Sequence, residues 1–149
     1  MTAPPSGAFE GEEHVLPVRV YYEDTDFTGV VYHASYLRFF ERGRTEFLRA
    51  MNVGHRALLA APDPSAFAVT KLSIAFRKAA RVDDALEVRT RFLHGAGVRI
   101  KAEQRALRGA ELIAEAEVEV VCIDLAGRPR RPPAPVWDAL NRVAPKPAP

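Results

Sequence analysis

Residues 20 to 36, VYYEDTDFTGVVYHASY, place Asp24, Asp26 and His33 among tyrosines in what reads as a connection between a strand and a helix. Three chemistries fit such a stretch. In the plainest, Asp24 and Asp26 cap turns and the helix entry, where acids are common and stabilising, and the aromatic residues pack. In the second, Asp24-Thr25-Asp26 holds a divalent cation for phosphoryl transfer. In the third, Asp26 attacks a carbonyl or activates water, while N–H groups at the helix start hold the developing oxyanion. A thioester suits the third, because a thiolate leaves with little need of a strong general acid. There is no G-x-S-x-G elbow, and Cys122 lies in an alternating pattern that reads as strand packing rather than as a nucleophile.

The elements around the stretch decide what it can reach. Val18, Val20 and Tyr22 alternate with Arg19, Tyr21 and Glu23, a strand that delivers the chain to Asp24 and Asp26. After FTG the period changes. Tyr36, Phe40, Gly43, Phe47 and Met51 share one helical face, with Arg38, Arg42, Thr45 and Arg49 on another, which predicts a helix from near Ala34 to near Ala50 stopped by Gly54. Gly43 on the apolar face predicts close approach of a neighbouring backbone, since glycine otherwise costs helix stability.

Downstream, Leu72, Ile74 and Phe76 alternate with Lys71, Ser73 and Arg77, and Leu86, Val88, Thr90 and Phe92 with Glu87, Arg89 and Arg91. Val98 and Ile100 begin another strand, and Leu112 to Cys122 form the longest. HGAG at 94–97 and RG at 108–109 make these successive strands antiparallel hairpins. A short helix at PVWDALNRV ends the pattern. Metal phosphotransfer sites usually gather carboxylates from the strand ends of a parallel sheet, so this antiparallel pattern weighs against the second chemistry. The expected fold is α+β, a curved antiparallel sheet wrapped around one long central helix.

Composition narrows the function classes. The 149 residues suit one domain, expected at 14–143, with the Pro- and Gly-rich residues 1–13 and the terminal 144–149 as disordered tails. A net charge of +2, from 21 basic and 19 acidic side chains, is no nucleic-acid footprint. A lone cysteine, no apolar run of about 18 residues and no signal-like N-terminus predict a cytoplasmic protein without a membrane span.

EDTDFTGVVYHASYLRFFERGRTEFLR resembles the signature of the hotdog-fold acyl-CoA thioesterases of the hydroxybenzoyl-CoA thioesterase type, most closely the Tol-Pal-associated group, and the similarity extends through KLSIAFRKAARVDDALEV and EAEVEVVCID. The resemblance implies hydrolysis of an acyl-CoA, or of an acyl-carrier-protein thioester, without metal or other cofactor, by a homodimer or homotetramer. It assigns Asp26 as nucleophile or general base and Gly29 to the loop turn. The backbone N–H at His33 polarises the thioester oxygen, and Glu41 supports the site, unless it merely pairs with Arg38 or Arg44. Phe27, Val30 and Tyr32 complete the expected substrate contacts, whereas Asp24 reads as structural. Phe27 and Thr28 stand where close relatives often carry small residues, so Phe27 is expected to narrow the acyl pocket. Arg77, Lys78 and Arg81, and separately Arg128, Arg130 and Arg131, are solvated faces or sites for CoA phosphates. The rivals are a non-catalytic hotdog module that binds acyl-thioesters or a protein partner, and, more weakly, a hydratase of the same fold.

Overall fold

Helix α1, Ser35–Ala50, follows the apolar spacing of its sequence: Tyr36, Phe39, Phe40, Gly43 and Phe47 are buried, and Arg38, Arg42 and Arg49 face solvent. Each large aromatic side chain buried on this face contributes about 1.5–3 kcal/mol. The computed structural model describes residues 2–93 and 97–143, so most of the HGAG connection and the segment 144–149 lie outside the described residues.

The stop of α1 differs from expectation. Asn52, at φ 60°, closes the helix: its N–H bonds the Arg49 carbonyl and the Val53 N–H bonds the Leu48 carbonyl. This is the Schellman pattern with Asn in the left-handed position usually taken by glycine. Gly54 instead precedes α2, His55–Ala60.

Strands β1 (Ala8–Glu10), β2 (Glu13–Arg19), β3 (Ala66–Phe76), β4 (Ala85–Leu93), β5 (Arg99–Arg108) and β6 (Glu111–Ile123) form one antiparallel sheet in the order β1-β2-β4-β5-β6-β3. Two corrections arise in the first strands. Residues 8–10 belong to the sheet rather than to a disordered tail, because Phe9 packs edge-to-face on Phe47 and His14 at 5.0 and 5.3 Å. The strand leading to the aspartates ends at Arg19. Tyr22 opens a 3-10 turn and is exposed instead of extending the buried face.

Alternation places Leu16 and Val18, Leu86 and Val88, Ile100 and Ala102, and Val118 and Val120 on the face toward α1. Gly43 permits the close contact, although side chains rather than backbone approach it: a Cβ there would lie 2.7 Å from Thr90 Oγ1 and 2.8 Å from Val88 Cγ1. Helix α1 lies against β2 and β4. Edge strand β3 therefore keeps Val69, Leu72 and Phe76 partly exposed, although their register with Val120, Val118 and Ala114 puts them on the helix side. Since β3 and β4 are not neighbours, their connection at 77–84 must cross one end of the sheet. It is anchored there by the Arg77 N–H on the Ile113 carbonyl at 2.8 Å. Helix α3, Ala134–Val143, buries Val136, Ala139 and Leu140.

Candidate active site

Asp26 sits at the first position of a tight hairpin. Its N–H bonds the Val30 carbonyl at 2.9 Å, the Gly29 N–H bonds its carbonyl at 3.1 Å, and Thr25 bridges Val31. The loop Phe27-Thr28-Gly29 suits this role: Asp favours the first position of such a turn, and Gly29, at φ 83°, takes the left-handed position that closes a three-residue hairpin loop. The Thr28 hydroxyl donates to Asp26 Oδ1 at 2.6 Å and the Thr28 N–H to the same oxygen at 2.8 Å. The hydroxyl first, then that N–H, holds the Asp26 carboxyl below its usual range. Asp26 is solvent-accessible and ionised at neutral pH, which is the state a nucleophile or general base needs.

Asp24 is bonded through both its carboxylate and its backbone carbonyl. Buried, it accepts the Tyr21 N–H at 2.8 Å on its carboxylate, while its backbone carbonyl accepts the Tyr32 N–H at 2.9 Å and the Ser35 hydroxyl at 3.0 Å. One peptide oxygen thus ties the carboxylate hairpin to the start of α1. Asp26 and His33 leave from this shared point, two residues after Asp24 and one after Tyr32. The second arm of the hairpin is pinned from the other side, with the Val31 N–H on the Ala80 carbonyl at 2.8 Å and Val30 bridging Arg81.

The start of α1 is open. Ala34 supplies no side-chain cap, the first turn carries no acid, and the N–H groups of His33 and Ala34 find no backbone acceptor among the described residues. A helix start in that condition favours negative charge. The His33 ring is exposed and lies 4.5 Å from Tyr32 and 6.4 Å from Phe76, centroid to centroid. The crossing connection and edge strand β3 therefore border the same place.

Other expected residues fare differently. Glu41 lies two turns along α1 and pairs with Arg44 at 2.9 Å, one of the ion pairs left open by the sequence. Phe27 is fully exposed, so within one chain it narrows no pocket. Val30 is partly buried and Tyr32 exposed. Arg77, Lys78 and Arg130 are engaged by Glu115, Glu111 and Asp63. A concavity of about 830 Å³ lies on the charged outer face of the sheet among Glu13, Arg91, Glu103 and Arg105, and Asp26 does not line it. Thr28 and Ser35 were absent from the expected site. The Asp-x-Thr spacing of an Asx turn could have revealed Thr28; Ser35 carries no local signal, because its partner is eleven residues upstream.

An antiparallel sheet wrapped on one central helix, with a carboxylate hairpin at the open helix start, defines a hotdog-fold protein. The family model described as "Thioesterase-like superfamily" matches residues 20–147. The acyl-CoA thioesterase YbgC of Haemophilus influenzae is 50% identical over 110 residues, covering 74% of this chain and 80% of that protein. The acyl-CoA thioester hydrolase YbgC of Escherichia coli is 47% identical over 119 residues, covering 78% and 87%. Among solved structures, a probable thioesterase from Bartonella henselae superposes with a TM-score of 0.79 at 41% identity, covering 81% of this chain and 99% of that one. The chain belongs to the thioesterase-like superfamily.

Proposed function

We propose that this chain hydrolyses the thioester of an acyl-CoA to a free acid and a thiol, the activity named for its relatives, with Asp26 as the reacting carboxylate. The observation that carries the assignment is the joining of an ionised Asp26 to an uncapped helix start through the Asp24 carbonyl. Asp26 attacks the thioester carbonyl or draws a proton from an attacking water. The carbonyl oxygen then takes negative charge beside the His33 N–H and the positive end of α1, which stabilise it more in the transition state than in the substrate. The carbon–sulfur bond breaks and the thiolate departs: in the general-base route the proton held on Asp26 passes to it, and in the nucleophilic route solvent protonates it and water then cleaves the mixed anhydride on Asp26, releasing the acid and restoring the carboxylate.

Phe27, Gly29, Val30 and Tyr32 serve as the substrate rim: Gly29 and Val30 shape the hairpin, and the exposed rings of Phe27 and Tyr32 meet the incoming thioester. The His33 imidazole flanks the reacting centre, and Glu41 supports the site from the neighbouring turns of α1. An acyl carrier protein thioester presents the same phosphopantetheine arm and is the alternative donor. No described helix is long and apolar enough to cross a membrane, and a lone buried Cys122 suits a reducing cytoplasm. A second copy of the chain completes the site by covering the apolar β3 edge.

Thiol release from short, long and aromatic acyl-CoAs tests the assignment. Asp26→Asn is expected to lose at least about 100-fold in kcat, the lower end of what a general base contributes, while still binding acyl-CoA. An Asp26→Asn protein with most of its activity sinks the assignment. Binding without turnover by the wild type would identify a non-catalytic acyl-thioester module.

A further inference from the structure

The hairpin that carries Asp26 is held from outside by the connection from β3 to β4, residues 77–84. Three consecutive residues of the connection lie against it: the Ala80 carbonyl accepts the Val31 N–H at 2.8 Å, Arg81 bridges Val30, and the Val82 N–H reaches the Gly29 carbonyl at 3.4 Å. Within the hairpin, the Val30 carbonyl accepts the Asp26 N–H at 2.9 Å. The place of the carboxylate is therefore set by the place of residues 80–82.

An irregular connection needs ties to hold still. Its two ends are tied through backbone: the Arg77 and Lys78 N–H groups share the Ile113 carbonyl at 2.8 and 3.1 Å, and the Asp84 carbonyl accepts the Val20 N–H at 2.9 Å. Its middle is tied by a side chain from elsewhere in the sheet. Arg108, the last residue of β5, donates from Nη1 to the Ala79 carbonyl at 3.1 Å and to Asp84 Oδ2 at 2.7 Å. The same Asp84 oxygen accepts the Arg81 N–H at 2.8 Å, so the turn at 81–84 closes on the carboxylate that the guanidinium holds. Glu111 steadies this arrangement from behind, accepting from Arg108 Nε at 3.4 Å and from Lys78 Nζ at 3.1 Å.

One guanidinium thus grips the connection on both sides of residues 80–82. Its bond to Asp84 is charge-assisted and about twice as strong as a neutral one, and the rigid fork loses little freedom in making it. Arg105, earlier on the same strand, has a different use: it reaches Glu13 of β2 at 2.9 Å and joins strand to strand. Resting on the thioesterase assignment above, we infer that Arg108 is a positioning residue for the reaction: through the Ala79 carbonyl and Asp84 it holds residues 80–82, and through them the Asp26 hairpin, in register with the open start of α1. It acts without touching the substrate. A misplacement of about 1 Å at a reacting group can cost about 100-fold in rate. The loss falls on kcat rather than on KM, because the contacts that bind the rest of the thioester are left in place.

The test compares Arg108→Met, Arg108→Lys and Arg105→Met with the wild type, in kcat and KM for an acyl-CoA that the wild type hydrolyses and in hydrogen exchange at the Val31 amide. Arg105→Met removes an ion pair of the same kind from the same strand and so controls for lost stability. Arg108→Met is expected to lose at least about tenfold in kcat with KM within about twofold, and to speed exchange at Val31 relative to the Asn52 amide at the far end of α1. Arg108→Lys, which can reach one of the two acceptors, should recover part of both losses. Arg105→Met should keep both kcat and the protection of Val31. No kcat loss in Arg108→Met, an equal loss in Arg105→Met, or Val31 exchange unmoved by Arg108→Met overturns the inference. Should Arg108→Met fail to fold, Arg108→Lys decides: kcat and Val31 protection both below wild type support the positioning role, and wild-type values overturn it. The exchange arm does not depend on turnover. A wild type that hydrolyses no acyl-CoA overturns the thioesterase assignment, and Val31 exchange still decides whether Arg108 holds the hairpin.

Discussion

At the scale of single residues, the proposed chemistry depends on a carboxylate kept ionised by its own turn. Thr28 supplies two of the bonds to Asp26 Oδ1. Both stabilise the charged form, so the folded carboxyl releases its proton at lower pH than an ordinary aspartate. Activity that needs the carboxylate is therefore retained as pH falls through the ordinary aspartate range near 4 and is lost only below it. Thr28→Val removes the hydroxyl bond, the larger cause, and should move the acid limb of the kcat/KM profile upward while its plateau holds. A limb unmoved by Thr28→Val would show that another group limits the rate in acid. Ser35→Ala is predicted to lower kcat more than it raises KM, because it frees the helix start from the Asp24 carbonyl without touching substrate. The Asp26 and Gly29 placement was legible because turn chemistry is local. The direction of the Phe27 side chain was not, since the way a side chain leaves a turn depends on neighbours that a linear pattern omits.

Elements show the same division between local and distant causes. The apolar face of α1 could be read from its period, whereas its stop could not: Asn52 competes with Gly54 for the left-handed position, and Val53 packing beneath the last turn decides for Asn52. Gly43→Ala is a direct test of how closely α1 meets the sheet. Its methyl would press on Thr90, Val88 and Gln104, and overpacking of that kind costs about 1–3 kcal/mol, against less than 1 kcal/mol gained in helix propensity. Chemical denaturation should show net destabilisation. Strand β1 escaped the sequence pattern because three residues are too few for a period, yet Phe9 makes it the cover of His14. His14 is fully buried, and burial pushes its pKa down against the smaller opposing influences of the Ser6 backbone and Glu46. The unfolded chain then binds a proton more readily than the folded one, so stability from the neutral imidazole is present above the unfolded value near 6.5 and falls away as pH drops below it. His14→Phe should flatten that decline in melting temperature between pH 7 and 5.

For the whole molecule, the sheet has two ends of different character. The β1 end is short and joined to β2 by charged neighbours such as Arg89, which bridges Glu10 and Glu13 at 3.0 and 2.9 Å. The β3 end is long, paired on one side only, and carries Leu72 and Phe76 partly exposed on the helix side. Unblunted edges of this kind pair with another chain. We propose that two copies join through β3 and extend the sheet, the arrangement a homodimer or homotetramer would use. A positive charge at Leu72 separates this from a merely untidy edge: at 39% exposure, Leu72 contributes little to the single-chain core, so Leu72→Lys should leave secondary structure and monomer melting nearly unchanged. Sedimentation at micromolar concentration should show association in the wild type and a population shifted toward monomer in Leu72→Lys. If a second copy completes the site, as proposed, its thioesterase activity should fall on dilution and recover on concentration. Full activity in a demonstrably monomeric Leu72→Lys protein would instead show that the Asp26 hairpin and the start of α1 are sufficient within one chain.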